Sequence, residues 1–320
     1  MKVGIAGAGF MARTHASAYD GMNVEVAAVA SPSGPEPFLE EAGLEADAYT
    51  DPKELCERAD IDFLDVCTPT DTHRDLVEIA TETGTNVFLE KPIAPTLEAA
   101  REIEALVAEA ELTCGVGHVV RFDPAYRRAR DCEIGTPGVA RARRLSPFPD
   151  WGSDDWFADR ERSGGLFVDL AIHDLDYLRW CWGPVDRVFA RRTRDERAVH
   201  GTATLRFANG AVGYVEASWA QPDSRPLETE LELAGDDGLV EHESADPRAY
   251  RAWTDDNSTR DPALAKTPYR RQLEQFVDAL EAGDEPAVEP AEAIASLRLA
   301  LAADRSAERG SPVSPAEVEE

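Results

Sequence analysis

Along the first 118 residues, short apolar runs alternate with stretches of helical period. Lys2-Val3-Gly4-Ile5-Ala6, Val24 to Ala30, Ile61 to Cys67, Asn86 to Leu89 and Leu112 to Val116 read as buried strands. Between them, a segment ending near Tyr19, Thr72 to Thr83 with Asp71 as its cap, and Leu97 to Ala110 capped by Thr96 predict helices. Alternation of this kind implies a parallel sheet with helices on both faces. In such a sheet, chemistry gathers at the carboxyl ends of the strands.

From residue 119 the rhythm changes. Gly138 to Ser146 alternates as a strand, and Pro147 to Arg162 reads as an irregular loop. Trp151 and Trp156 on that loop either line a sugar-sized pocket or anchor the loop. Gly164-Gly165 then opens a helix that Gly183-Pro184 closes. Val185 to Arg191, Val199 to Phe207, Ala211 to Trp219, Glu228 to Ala234 and Leu239 to Glu243 read as strands. Asn209-Gly210 and Asp237-Gly238 are hairpin signals, so the strands they join are antiparallel. In one strand Thr229, Leu231 and Leu233 alternate with Glu228, Glu230 and Glu232, giving a buried face and a polar one. Asp246 to Thr267 is polar and predicts a long surface loop; Pro268 to Ala282 and Pro290 to Arg309 predict helices. The expected fold is α/β over residues 1–118, followed by an α+β unit over 119–320.

Composition narrows the partners. Hydrophobic residues make up 43% of the 320 and aromatics 8%, enough for packed cores. The net charge of −29 repels nucleic acid and acidic membranes. Lys2, Lys53, Lys91 and Lys266 are the only lysines, an acidic, lysine-poor balance like that of proteins from halophilic organisms. Cys56, Cys67, Cys114, Cys132 and Cys181 are odd in number and scattered, so neither a zinc site nor a disulfide framework is indicated. With no signal peptide and no run long enough to span a bilayer, a soluble cytoplasmic protein is expected.

Five stretches carry chemistry. Gly7-x-Gly9-x-x-Ala12, with Phe10 and Met11 inside it, lies between a strand and a helix, the context of a dinucleotide fingerprint. Gly7 permits the turn, Gly9 lets a pyrophosphate approach, and Ala12 lets helix and strand pack closely. At the tip of the second strand, where an acidic residue would bind the ribose of NAD, the sequence is Ala30-Ser31-Pro32-Ser33. With no carboxylate to repel a 2′-phosphate and two hydroxyls to bond it, the tip leans toward NADP over NAD. Further strand ends carry Thr68-Pro69 followed by His73, and Glu90-Lys91-Pro92. A lysine there can hydrogen-bond a substrate oxygen and stabilise developing negative charge, although such a lysine is also commonly solvated and His73 also suits a helix start. In the glycine-opened helix, Asp169 and His173 stand four apart, about 40° from each other on one face. They read either as an acid-base pair, the carboxylate orienting the ring, or as an ordinary polar pair on a surface helix.

Taken in order, these motifs resemble the glucose-fructose oxidoreductase / inositol dehydrogenase / rhizopine-catabolism (Gfo/Idh/MocA) family. The resemblance rests on Gly7-x-Gly9-x-x-Ala12 with His15, Thr68-Pro69-x-x-x-His73, Glu90-Lys91-Pro92, Gly164-Gly165-x-x-x-Asp169-x-x-x-His173 and the closing Ser306 to Val313. It implies a Rossmann domain followed by a domain with a large, mostly antiparallel sheet, and a cis Lys91-Pro92 bond. It also implies that Lys91, Asp169 and His173 meet at a nicotinamide bound against Gly7, Gly9, Phe10, Met11, Ala12, Ser31, Thr68, Pro69, His73, Glu90 and Lys91. The implied activity is NAD(P)-dependent oxidation of a secondary alcohol on a sugar, cyclitol or related polyol, with no metal. A homodimer or homotetramer formed through the second sheet is implied as well. Redox-assisted glycoside cleavage and a non-catalytic dinucleotide sensor are the alternatives.

Overall fold

The computed structural model describes the chain apart from residues 153–154, 194, 196, 246–249, 255–256, 262–265 and 319–320. The first half runs β1 (Lys2–Ala6), α1 (Phe10–Tyr19), β2 (Glu25–Ala30), α2 (Glu36–Ala42), β3 (Asp47–Tyr49), α3 (Pro52–Arg58), β4 (Phe63–Val66), α4 (His73–Glu82), β5 (Asn86–Glu90), α5 (Leu97–Glu109) and β6 (Cys114–Gly117). The strands form one parallel sheet in the order β3-β2-β1-β4-β5-β6. β1 pairs with β2 on one side and β4 on the other, so the order reverses there and a crevice opens at their carboxyl ends.

The helix starts follow their sequence signals with one exception. Asp51 accepts from the Lys53 N–H at α3, and Thr96 accepts from the Ala99 N–H at α5. Asp71, expected to cap α4, does not: a 3₁₀ turn over Thr70–Thr72 intervenes, and its carboxylate takes Arg162 at 2.8 Å instead. One face of the sheet packs Val3, Ile5, Val29, Phe63 and Phe88 against α1 and α2. Its other face, with Leu64, Val66, Val87 and Leu89, packs on α3, α4 and α5 and runs without a break into the core of the second half.

That half runs α6 (Pro124–Asp131), β7 (Pro137–Leu145), α7 (Arg160–Ser163), α8 (Ile172–Trp182), β8 (Val185–Arg192), β9 (His200–Phe207), β10 (Val212–Ser218), β11 (Glu228–Gly235), β12 (Gly238–Glu243), β13 (Tyr250–Thr254), β14 (Asn257–Asp261), α9 (Pro268–Ala282) and α10 (Pro290–Arg309). Eight strands form a second sheet, β14-β13-β12-β11-β7-β10-β9-β8, antiparallel except where β7 meets β10. The two hairpins fall where Asn209-Gly210 and Asp237-Gly238 place them. The loop expected over Asp246 to Thr267 is corrected in part: β13 and β14 pair with each other and extend the sheet from β12. Residues 246–249, 255–256 and 262–265 of that stretch lie outside the described residues. A strand pair at a sheet's edge needs no apolar alternation, so its polar composition disguised it.

α6, α8 and α10 cover one face of this sheet. α9 returns to the first sheet: Phe276 is buried between Phe63 and Phe88, with ring centroids at 5.3 and 5.2 Å. Gly115 on β6 leaves it room, since a Cβ there would lie 2.6 Å from the Phe276 ring. Among the described residues, no helix is long and apolar enough to cross a membrane.

Candidate active site

At the head of the crevice, Gly7 turns the chain out of β1 with φ of +112°. A Cβ there would meet the Cys67 carbonyl at 2.6 Å, which excludes a side chain at this crossing. Gly9 has open space where its side chain would be, with nothing within 4 Å. α1 starts beside it with no side-chain cap and no acid in its first turn, so its leading N–H groups face that space uncapped. Ala12 is fully buried against the sheet. Backbone donors around an open concavity are what a pyrophosphate requires, and these residues fit the dinucleotide that the motif implies.

At the tip of β2, Ser31 begins a turn closed by the Gly34 N–H to its carbonyl, and its Oγ lies 3.2 Å from Ser33 Oγ. Thr68 and Pro69 turn the chain after β4, with Thr68 Oγ1 bonded to Thr72 Oγ1 at 2.6 Å. His73, only 1% exposed, sits behind this turn. Its Nε2 faces the Thr68 carbonyl and its Nδ1 the Pro92 carbonyl, each at 3.1 Å, so it braces the ends of β4 and β5 from inside. Glu90 is also buried and points away from the crevice, toward His15.

Lys91 leaves β5 through a cis Lys91-Pro92 bond and reaches into the second half. Its ammonium donates to the Asp169 carbonyl at 2.7 Å and to Asp169 Oδ1 at 3.1 Å. The expected partnership of Asp169 with His173 is thereby corrected: the described bonds of this carboxylate go to Lys91. The local cause is a π-helical turn over Phe167–Ala171 that precedes α8. Its wider winding changes the angle between Asp169 and His173 from the α-helical value. His173 stands at the start of α8, its buried Nδ1 without a protein partner. Burial first, and then the charges of Lys91, Arg144 and His118, hold its pKa well below the usual 6.5. The ring is therefore neutral at physiological pH and able to accept a proton.

Sequence reasoning passed over His118. It follows β6 directly, 1% exposed, with neither ring nitrogen hydrogen-bonded. Burial pushes its pKa down to about 4, against the pull of Asp176, whose Oδ2 lies 3.5 Å from Nδ1. Its place at a strand's carboxyl end was the signal available. Asp176 is in turn held by Arg121, whose guanidinium grips it through two bonds at 2.8 and 2.6 Å. Of the two loop tryptophans, Trp156 is buried against Phe157 and anchors the loop, whereas half-exposed Trp151 packs at a tilt against Phe10, ring centroids 4.9 Å apart.

Comparison with known proteins identifies the family. Residues 1–118 match the model described as oxidoreductase family, NAD-binding Rossmann fold, and residues 124–241 match the GFO/IDH/MocA C-terminal domain. The chain belongs to the GFO/IDH/MocA family of oxidoreductases. It is 30% identical to inositol 2-dehydrogenase of Rhizobium meliloti (strain 1021), over 96% of each chain. It is 29% identical to scyllo-inositol 2-dehydrogenase (NAD(+)) of Bacillus subtilis (strain 168), over 82% of this chain and 80% of that one. D-xylose 1-dehydrogenase (NADP(+)) 2 of Haloferax volcanii is 27% identical over 83% of this chain and 84% of its own. The crystal structure of a putative myo-inositol dehydrogenase from Sinorhizobium meliloti 1021 superposes with a TM-score of 0.82 at 29% identity, covering 98% and 99% of the two chains.

Proposed function

We propose that this protein is a reversible NAD(P)-dependent dehydrogenase for a secondary alcohol of a sugar, cyclitol or related polyol. The observation that carries the reading is the meeting of Lys91, from the dinucleotide-binding half, with Asp169, one helical turn before a neutral His173. His173 accepts the hydroxyl proton as the alcohol is oxidised. Lys91 donates to the same oxygen and stabilises its alkoxide character. Asp169 holds Lys91 in place through two oxygens. The dinucleotide supplies the hydride acceptor when bound, lying against Gly7, Gly9, Phe10, Met11, Ala12 and the turns at Ser31, Thr68 and Pro69. Buried His73 supports the Thr68-Pro69 turn from beneath. Relatives named for NAD(+) and for NADP(+) both occur, and the Ser31-Ser33 tip with no carboxylate favours NADP.

The test is incubation with a panel of inositols and aldoses in the presence of NAD or NADP. Reduced dinucleotide accumulates, faster with NADP. Sugar released from a glycoside without accumulation would replace this reading with redox-assisted glycoside cleavage, and dinucleotide binding with no turnover would replace it with a sensor.

A further inference from the structure

Beneath the crevice lies a buried charged column that the reaction above does not use. His15, on the second turn of α1, is fully enclosed. Its Nδ1 lies 2.9 and 3.1 Å from the two oxygens of Asp65, in the middle of the otherwise apolar β4. Tyr19 donates its hydroxyl to the same carboxylate at 2.8 Å, and Cys67 Sγ lies 3.3 Å from Nδ1. On the far side of the ring, Nε2 lies 3.1 Å from Glu90 Oε1, an ion-pair distance at an angle too oblique for a straight hydrogen bond. Glu90 Oε2 in turn accepts the backbone N–H of Lys91 at 3.2 Å. The rings of Phe88 and Tyr269 wall the imidazole. Burial opposes a charge on it, but Asp65 and Cys67 outweigh that and hold its pKa well above 6.5.

A buried ion-pair set is weak evidence of a stabilising role. Apolar side chains of similar volume in place of a buried ion-pair set are often neutral or stabilising. The carboxylate of Glu90 lies over Gly117, where a Cβ would come within 2.7 Å of Oε1, so the one residue type that leaves this space stands there. We propose that His15 is a positioning residue for Lys91, acting through Glu90. Asp65 fixes the ring, the ring fixes the Glu90 carboxylate over Gly117, and the carboxylate fixes the Lys91 backbone from which the ammonium reaches Asp169. The inference rests on the assignment of Lys91 to the substrate oxygen.

The two arms separate by substitution. An Asn amide occupies the place of Nδ1 and a Gln amide that of Nε2, so His15→Asn keeps the Asp65 arm and His15→Gln keeps the Glu90 arm. Gly117→Ala displaces Glu90 Oε1 without touching His15, at a residue whose φ accommodates Ala. H15N and G117A should each lower kcat by about tenfold or more, with dinucleotide Kd within about twofold of the parent. H15Q should recover most of the loss. Crystal structures of H15N and G117A should show Lys91 Nζ displaced by more than about 0.5 Å from Asp169. If Nζ keeps its 2.7 and 3.1 Å contacts in both variants, the proposal is overturned. Equal losses in H15N and H15Q that track their Tm would also overturn it, leaving His15 a core residue. If H15N does not fold, G117A carries both measurements. Activity retained in Lys91→Ala would defeat the assignment of Lys91 instead, while the crystallographic readout still decides the positioning.

Discussion

In the proposed reaction Lys91 is the residue on which the chemistry turns, and its surroundings are unusual for a lysine: 14% exposed, with Asp169 12% exposed beside it. Lys91→Ala should cut kcat by about a hundredfold or more and leave dinucleotide Kd within about threefold, because the side chain acts on the substrate oxygen and not on the pyrophosphate. Stopped-flow turnover and fluorescence titration measure the two, and near-parental turnover would overturn the role. His118 makes a second prediction, for stability. Its native pKa of about 4 lies below the unfolded 6.5, so between those values the unfolded chain binds the extra proton. Stability therefore falls as pH drops from above 6.5 toward 4, by on the order of 3 kcal/mol from this group. His118→Asn should flatten that slope in urea melts taken across the window, and an unchanged slope would count against a neutral buried imidazole. Lys91 was legible in the sequence because it ends a strand in a recognisable motif. The role of His15, although the motif includes it, and that of His118 were not, since a histidine's sequence context carries no signal of the partners that folding brings from 50 to 75 residues away.

At the scale of elements, α1 and its glycine turn could be read almost to the residue, because backbone sterics confine such a turn to few sequences. The π-helical turn before α8 could not. Leu166, Phe167, Val168, Leu170, Ala171 and Ile172 are nearly continuous in apolar character and all buried, so they give no phase from which to tell a π turn from an α turn. The pattern of α9 predicted a helix and an apolar face, but not that the face would dock on a sheet formed more than 150 residues earlier. That docking depends on Phe276, 1% exposed. Phe276→Ala should cost about 3–5 kcal/mol in chemical denaturation, the range for an enclosed aromatic side chain. A loss below about 1 kcal/mol would mean that the neighbouring elements collapse into the space.

For the whole molecule, the second sheet has one covered face and one open one. Across the open face, Phe189, Thr204, Tyr214, Arg141 and Glu232 stand side by side on five neighbouring strands. Phe189 and Tyr214 are among the few large apolar residues left exposed, and Arg141 and Glu232 form an ion pair beside them. An apolar strip flanked by paired charges suits a self-complementary contact. Light scattering at micromolar concentration should give a dimer or tetramer, and Tyr214→Asp together with Phe189→Asp should yield the monomer. A parent already monomeric would refute this contact. The acidic excess of −29 sets the condition for the measurement, since molar salt screens repulsion between copies.

The grip of Asp169 on Lys91 has a stereochemical consequence. An ammonium carries three N–H bonds in a tetrahedral arrangement. Asp169 engages two of them, one through its carbonyl and one through its carboxylate. The third bond has a direction already determined by the other two, and it alone is left to meet an alcohol. In the proposed reaction the substrate then meets a single fixed vector, and an epimer whose hydroxyl departs from that line loses the donor.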